Sequence, residues 1–545
     1  MTNLHKKRGA ALITAAVLAL IALFGMTACP NAAKPEQPAP TPKHAVTFSV
    51  EGGNGTLKAE VDGREIHTGD LVEQGKIVEF TATADNPATH NVDYWTVSAG
   101  TFEAGTGASE STIAKVKVVQ PATVTVKFKP IGTPPTKYNV TFAVSGTGGT
   151  LKAEVDGTEV HSPYQSERNK TVVFTATPAN EYYAVDKWTD GGTTIAGETG
   201  TVYTHMVTAD ADIAVHFKTA PVDVYVCASS NDKAYVWKNN TPTELRSHET
   251  GSGVTLYPSA VRSQGNDVYI TGAENVSGVT RPLVWKKDGS LHWIGNNRWS
   301  YAYDIAFYKG KTLVAGETFD GTDGGASLTD ISDPGNPVLT FLYKKTPPID
   351  YAEAHALCAS TDTLYAAGYK EDGNTYKKTV FLWTKPDSGS ISETELGLEG
   401  NTAYTDRIPY GLCTAGSSVY VAAGNLWKVE GGTVTLIPVA DAHALYALCV
   451  HDGTVYAAGW TNAYKAAVWK IEGASASLYK ELPTVSSGVF ALCAAGGDLF
   501  AAGYYLDTDN KEKPVWWRIG SDLSVTEHKL GTDEGEALGI CVTPQ

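Results

Sequence analysis

From residue 222 to the C-terminus the chain repeats one short pattern, and that repetition restricts its folding more than any bulk property does. The unit is an Ala-Leu-Cys run, a tight turn, a Tyr-Ala-Ala-Gly run, a variable stretch and a Val-Trp-Lys run. It stands as Ala356-Leu357-Cys358 with Tyr365-Ala366-Ala367-Gly368. It returns as Ala447-Leu448-Cys449 with Tyr456-Ala457-Ala458-Gly459 and Val468-Trp469-Lys470. A third copy is Ala491-Leu492-Cys493 with Phe500-Ala501-Ala502-Gly503 and Val515-Trp516-Trp517. The second runs end at Ala228, Gly272, Gly316, Gly368, Gly424, Gly459 and Gly503, between 35 and 56 residues apart. Each run has strand length and strand residues, bounded by turn formers.

A unit of short strands recurring about every 45 residues predicts stacked sheets of about four strands, arranged radially as a seven-bladed β-propeller. Ring closure is legible too. The first unit begins at its second strand, Val222 to Ala228, and the chain ends on the missing first strand, Ala537-Leu538-Gly539-Ile540-Cys541. A C-terminal strand that completes the N-terminal sheet removes exposed edges.

The units resemble bacterial surface propeller repeats of the Val-Tyr-Val-Ala-Gly … Trp-Lys-Asn-Gly kind, matched by Val284-Trp285-Lys286 and Trp237-Lys238-Asn239. The third unit lacks the Trp. Its run from Asp330 to Val338 resembles the Leu-Val-Ile-Val-Asp propeller repeat, another extracytoplasmic type. Propellers host enzymes, adhesins and scaffolds alike, so this fold does not decide function.

Ahead of the repeats lies a duplication. Thr56 to Gly63 recurs unchanged at Thr150 to Gly157, and Phe80-Thr81-Ala82-Thr83 recurs at Phe174 to Thr177, both at an offset of 94. Val92-Asp93-Tyr94-Trp95 is echoed by Val185-Asp186-Lys187-Trp188. Alternation such as Val46-Thr47-Phe48-Ser49-Val50 predicts half-buried antiparallel strands. The arrangement resembles the divergent internalin-type B repeat, over residues 44–130 and 138–219, with a linker at 131–137. That resemblance implies a stalk or adhesive module. Trp95 and Trp188 are expected in the cores of these domains.

At the N-terminus, Lys6, Lys7 and Arg8 precede an apolar run from Ala10 to Ala28, which is the layout of an export signal. Met26-Thr27-Ala28-Cys29 resembles a bacterial lipobox, with Met26 where the family usually has Leu. The resemblance implies a signal peptide at 1–28 and a lipidated Cys29. Pro30, Pro35, Pro38, Pro40 and Pro42 then predict an extended tether over 29–43. The expected address is the cell envelope, lipid-anchored, at the outer membrane or cell surface.

The composition, 42% hydrophobic and 19% charged, is that of globular domains. A net charge of −16 without a basic stripe excludes nucleic acid as an expected partner. Cys358, Cys413, Cys449, Cys493 and Cys541 occupy one repeat position, which marks packing and not chemistry. Cys227 and Cys541 are expected as diagonal neighbours ~7–8 Å apart, beyond comfortable disulfide reach, and no Cys/His metal spacing exists, so neither a disulfide, a metal nor a cofactor is expected. Asp507-Thr508-Asp509-Asn510 and Asp320 to Gly324 read as polar hairpin tips and not as calcium loops. No catalytic motif appears. His355 and His443, near Asp350, Glu353 and Asp441, are the nearest approach to an acid/base cluster, and packing is the expected role. A non-enzymatic binding or adhesion module is therefore expected. The alternatives are a periplasm-facing scaffold in envelope assembly, or a hydrolase or lyase of unrecognised type.

Three residues before the Cys position stand Tyr303, His355, Tyr410, Tyr446 and Phe490. Two roles are open for this register. The rings can pack between units, or they can line a mouth that stacks a sugar or grips a peptide. Long loops expected after Gly316, Gly368 and Gly503 lie on the same face, which makes it the expected binding face for an unidentified protein or glycan ligand.

Overall fold

The structure is a computed structural model that describes residues 41–132, 136–250, 253–295, 300–319, 324–346, 349–398, 408–484 and 486–545. Residues 1–40, which hold the expected signal peptide, Cys29 and most of the expected tether, and residues 320–323 lie outside the described residues. Within them every regular element is a strand, and no helix is long and apolar enough to cross a membrane. The protein is all-β.

The chain divides into two units. One holds the described residues up to Asn139 with Gln165–Thr171 and Met206–Asp210, and the other holds the remainder.

In the first unit, residues 43–130 form two four-stranded sheets face to face. Alternation puts Val46, Phe80, Val124 and Trp95 into one shared core. Trp95 is fully buried, and its indole N–H donates to the Ser111 carbonyl at 2.8 Å. The pairing is not wholly antiparallel, contrary to the alternation reading. The opening strand Lys43–Glu51 runs parallel to the closing strand Ala122–Pro130, with Val46 opposite Ala122. The intervening strands include those of the second sheet, and that crossover lets two strands of the first lie side by side in one direction. The second copy repeats the feature: Lys137–Ser145 is parallel to Ala211–Thr219. Its Trp188 is also fully buried, against Phe174 and Tyr203.

The rest of the second unit is built of seven four-stranded antiparallel sheets. Their inner strands are β1 (Val254–Gln264), β2 (Tyr301–Tyr308), β3 (Ile349–Ala359), β4 (Gly411–Ala415), β5 (Ala442–His451), β6 (Ser487–Ala495) and β7 (Gly535–Pro544). Strand β7 pairs with Val222–Ser230, so the first and last segments share one sheet. Each inner strand neighbours the next, and β7 neighbours β1, which closes a ring.

Apolar clusters fill the spaces between adjacent sheets. Third-strand tryptophans dominate several of them: Trp285, Trp383, Trp469 and Trp517 are each fully buried. The cysteines of the repeat are unpaired thiols among these residues. Burial pushes the thiols up, Cys541 to about 12, which suits packing and not reactivity.

The segments after Gly368 and Gly503 are hairpin extensions rather than loops. Pairing continues past Gly368 to Glu371 opposite Lys378, and past Gly503 to Leu506 opposite Glu512. After Gly316 it continues to Phe319 opposite Gly324. Backbone groups that a loop would leave to water are paired here. The Asp507 tip is a turn in which that carboxylate accepts from the Asp509 and Lys511 N–H groups.

Candidate functional site

One backbone irregularity builds the site. Six inner strands carry a β-bulge at the same place, and the extra residues are Ser259, Tyr303, His355, Tyr446, Phe490 and Leu538. In the remaining sheet Tyr410 holds that register immediately before β4. A bulge gives one strand an unpaired residue and re-aims its side chain. All of these residues line a single central cavity of about 360 Å³.

The bulge also explains the glycine ending the Tyr-Ala-Ala-Gly run. A Cβ at Gly368 would lie 1.8 Å from the Glu353 carbonyl oxygen, two residues before the bulged His355. Gly316, Gly459 and Gly503 meet the corresponding carbonyls equally closely. The glycine is there to admit the bulge.

The five residues expected from the sequence thus come together at one place, where they both pack against one another and line the cavity. Their rings touch from sheet to sheet. Tyr303 stacks on His355 at 3.8 Å between ring centres, Tyr410 lies 5.7 Å from His355 and 5.9 Å from Tyr446, and Tyr446 lies 6.0 Å from Phe490. The arc is backed by Trp460, 4.7 Å from Tyr446, and by Tyr504, 5.6 Å from Phe490. Burial along the arc is uneven: His355 is only 4% exposed, whereas Tyr410 is 44% exposed.

His355 is locked to Glu353, with Nε2 and Oε2 at 2.7 Å. Burial raises the Glu353 carboxyl, but hydrogen bonds from His355, Tyr303 and Tyr369 outweigh it and hold the group below its ordinary value. Burial, with Glu353 alongside, pushes both phenols upward. These groups form a fixed ionised-carboxylate cluster. His443 lies elsewhere, with its ring against Tyr464 at 5.2 Å. The Asp441 carboxylate accepts from Asn462. The side chain of Asp350 is outside the described ones.

Three polar residues of the cavity were missed in the sequence. Arg262 donates from Nη2 to Asp304 Oδ2 at 3.1 Å, and the same oxygen accepts the Leu357 N–H at 2.9 Å. Asp304 is buried, while the Arg262 side chain keeps 38% exposure. Their signal lies in register. Arg262 stands where five units carry Cys, and Asp304 where other units carry Ala or Gly. The third residue is Glu536 on β7. Burial, then the facing Glu512 carboxylate, pushes its carboxyl up to about 7. The wall therefore combines an aromatic arc with one cation and one carboxyl poised near neutrality.

No family model matches the chain, and no curated protein matches it. Among solved structures it is similar to the β-propeller domain of the Trilobed protease from Pyrococcus furiosus, at 10% identity and TM-score 0.35, covering 57% of this chain and 94% of that one. It is similar to the WD40 β-propeller domain of Doa1 at 13% identity and TM-score 0.34, covering 57% and 94%. An acylaminoacyl peptidase matches at 12% identity and TM-score 0.34 over 51% of this chain, which spans under half of that protein (46%). The ring architecture rests on the strand pairing described above.

Proposed function

We propose that this protein is a lipid-anchored envelope protein whose seven sheets are the blades of one β-propeller, acting as a ligand-binding head on a stalk of two internalin-type B-repeat-like domains. The observation that carries the binding role is the cavity, to which every inner strand contributes the same register position and five contribute a ring. Its volume falls at the lower end of small-molecule sites. Stacking rings with a guanidinium and a carboxyl suit a ligand with an apolar face and polar edges, such as a sugar ring or a peptide side chain. Nothing in the site supplies an activated nucleophile, and His355 is committed to Glu353. Binding without turnover is the reading adopted.

A glycan and matrix-protein array tests it. A captured ligand should lose roughly tenfold or more in affinity with Tyr446→Ala, while Lys233→Ala on an outer strand leaves it unchanged. Equal binding by both variants would remove the cavity from the function. Anchoring is tested separately. Cys29→Ser should accumulate as unprocessed precursor that takes up no labelled palmitate, and normal processing of the variant would refute the lipoprotein assignment.

A further inference from the structure

A second constellation lies away from the cavity, where the segment after Thr241–Glu244 crosses the sheet of β1. Glu274 and Arg281 are direct cross-strand partners there. Glu274 is fully buried. Its Oε2 accepts three donors: Ser247 Oγ at 2.8 Å, the His248 N–H at 3.0 Å and the Glu249 N–H at 3.3 Å. Its Oε1 is buried as well but has no hydrogen-bond partner. That oxygen faces His248 Nδ1 at 3.5 Å and Arg281 Nη1 at 3.6 Å. Glu249 Oε1 completes the group, 3.5 Å from His248 Nδ1 and 2.5 Å from Arg281 Nη1.

We propose that His248, Glu249 and Glu274 form a site for a divalent cation of the zinc class, with Arg281 as its resident competitor. A buried carboxylate oxygen without a donor is costly unless a cation faces it. Two carboxylates against one guanidinium leave the group one negative charge in excess. The donor set of one imidazole nitrogen and two carboxylate oxygens suits zinc, whereas calcium favours oxygen alone. The three ligand atoms lie within 4.8 Å of one another. Two of the separations are 3.5 Å, close to the roughly 3.3–3.4 Å of tetrahedral ligands at zinc bond lengths. The three donors on Oε2 orient the carboxylate as outer partners of a metal ligand do. Arg281 is partly exposed at the rim of a surface hollow, so it can turn to solvent as a metal enters.

The expectation of no metal rested on the lack of Cys and His spacings and of a complete calcium loop. Here two ligands are chain neighbours, and the third comes from a strand whose position only the sheet defines.

Zinc alone, titrated into the full-length protein against a chromophoric chelator, decides the matter. One saturable site is expected, weakened at least roughly tenfold by His248→Ala and by Glu249→Gln, and strengthened roughly tenfold by Arg281→Ala. Melting curves in chelator establish that each variant is folded, and zinc should raise the melting temperature of the wild type but not of His248→Ala. Wild-type binding that neither His248→Ala nor Glu249→Gln alters would place the zinc elsewhere and overturn the proposal. Binding confined to Arg281→Ala would overturn it too, since the guanidinium would then be the native cation of the cluster.

Discussion

Aromatic side chains do different work between the sheets and around the cavity, and exposure separates them. Trp469 is fully buried between sheets, so Trp469→Ala should cost about 3–5 kcal/mol in denaturant unfolding. Tyr410 is 44% exposed, and Tyr410→Ala should cost no more than about 1 kcal/mol. Equal losses would mean that the arc is core and not wall. Gly368→Ala, which adds one methyl, should cost about 2–3 kcal/mol or more because the new Cβ meets the Glu353 carbonyl. A neutral effect would remove the glycine from the bulge. Glu536 sets a pH dependence. Its folded value of about 7 lies above the ordinary 4.5, so the native state holds more protons between those values. Its contribution is therefore fully present below about 4.5 and is lost as pH rises through about 7. Glu536→Gln should flatten the fall in melting temperature between those pH values, and an unchanged slope would assign it to other groups.

Among the inner strands, β7 is the one whose partner strand lies farthest away along the chain. It pairs with Val222–Ser230 at the far end of the sequence, and it contributes Leu538 and Glu536 to the cavity. Truncation after Gly531 leaves Val222–Ser230 as a bare edge beside the cavity. Aggregation or a loss of most of the melting cooperativity is expected on gel filtration and calorimetry. A monomeric truncation with unchanged melting would show that the ring holds without its closing strand. The hairpin extensions after Gly368 and Gly503 are the opposite case. Their backbones are paired within themselves, so they can vary in length without disturbing the inner strands.

For the whole molecule, strands were legible because alternation and β-branched residues are local signals, and the four-stranded sheets of residues 222–545 were legible because one unit recurs. The segment that carries Tyr182 is not a passive neighbour of the ring. The Tyr182 hydroxyl donates to the Val542 carbonyl of β7 at 3.0 Å, and its ring joins the cluster between the last sheet and the first. A chain beginning at Val222 should accordingly be about 1 kcal/mol less stable than one beginning at Lys137, and equal stability would make that contact incidental. The β class, the duplication, the closing strand and the register of Tyr303, His355, Tyr410, Tyr446 and Phe490 can be read from the residues alone, because repetition exposes whatever recurs at a fixed interval. It took the folded chain to show that bulges aim that register into one cavity, that the opening and closing strands of the two N-terminal copies run parallel, and that Arg262, Asp304 and Glu536 share the cavity wall. Those facts depend on which strands become neighbours across long stretches of chain, and a pairing between distant strands leaves no periodic trace in either of them.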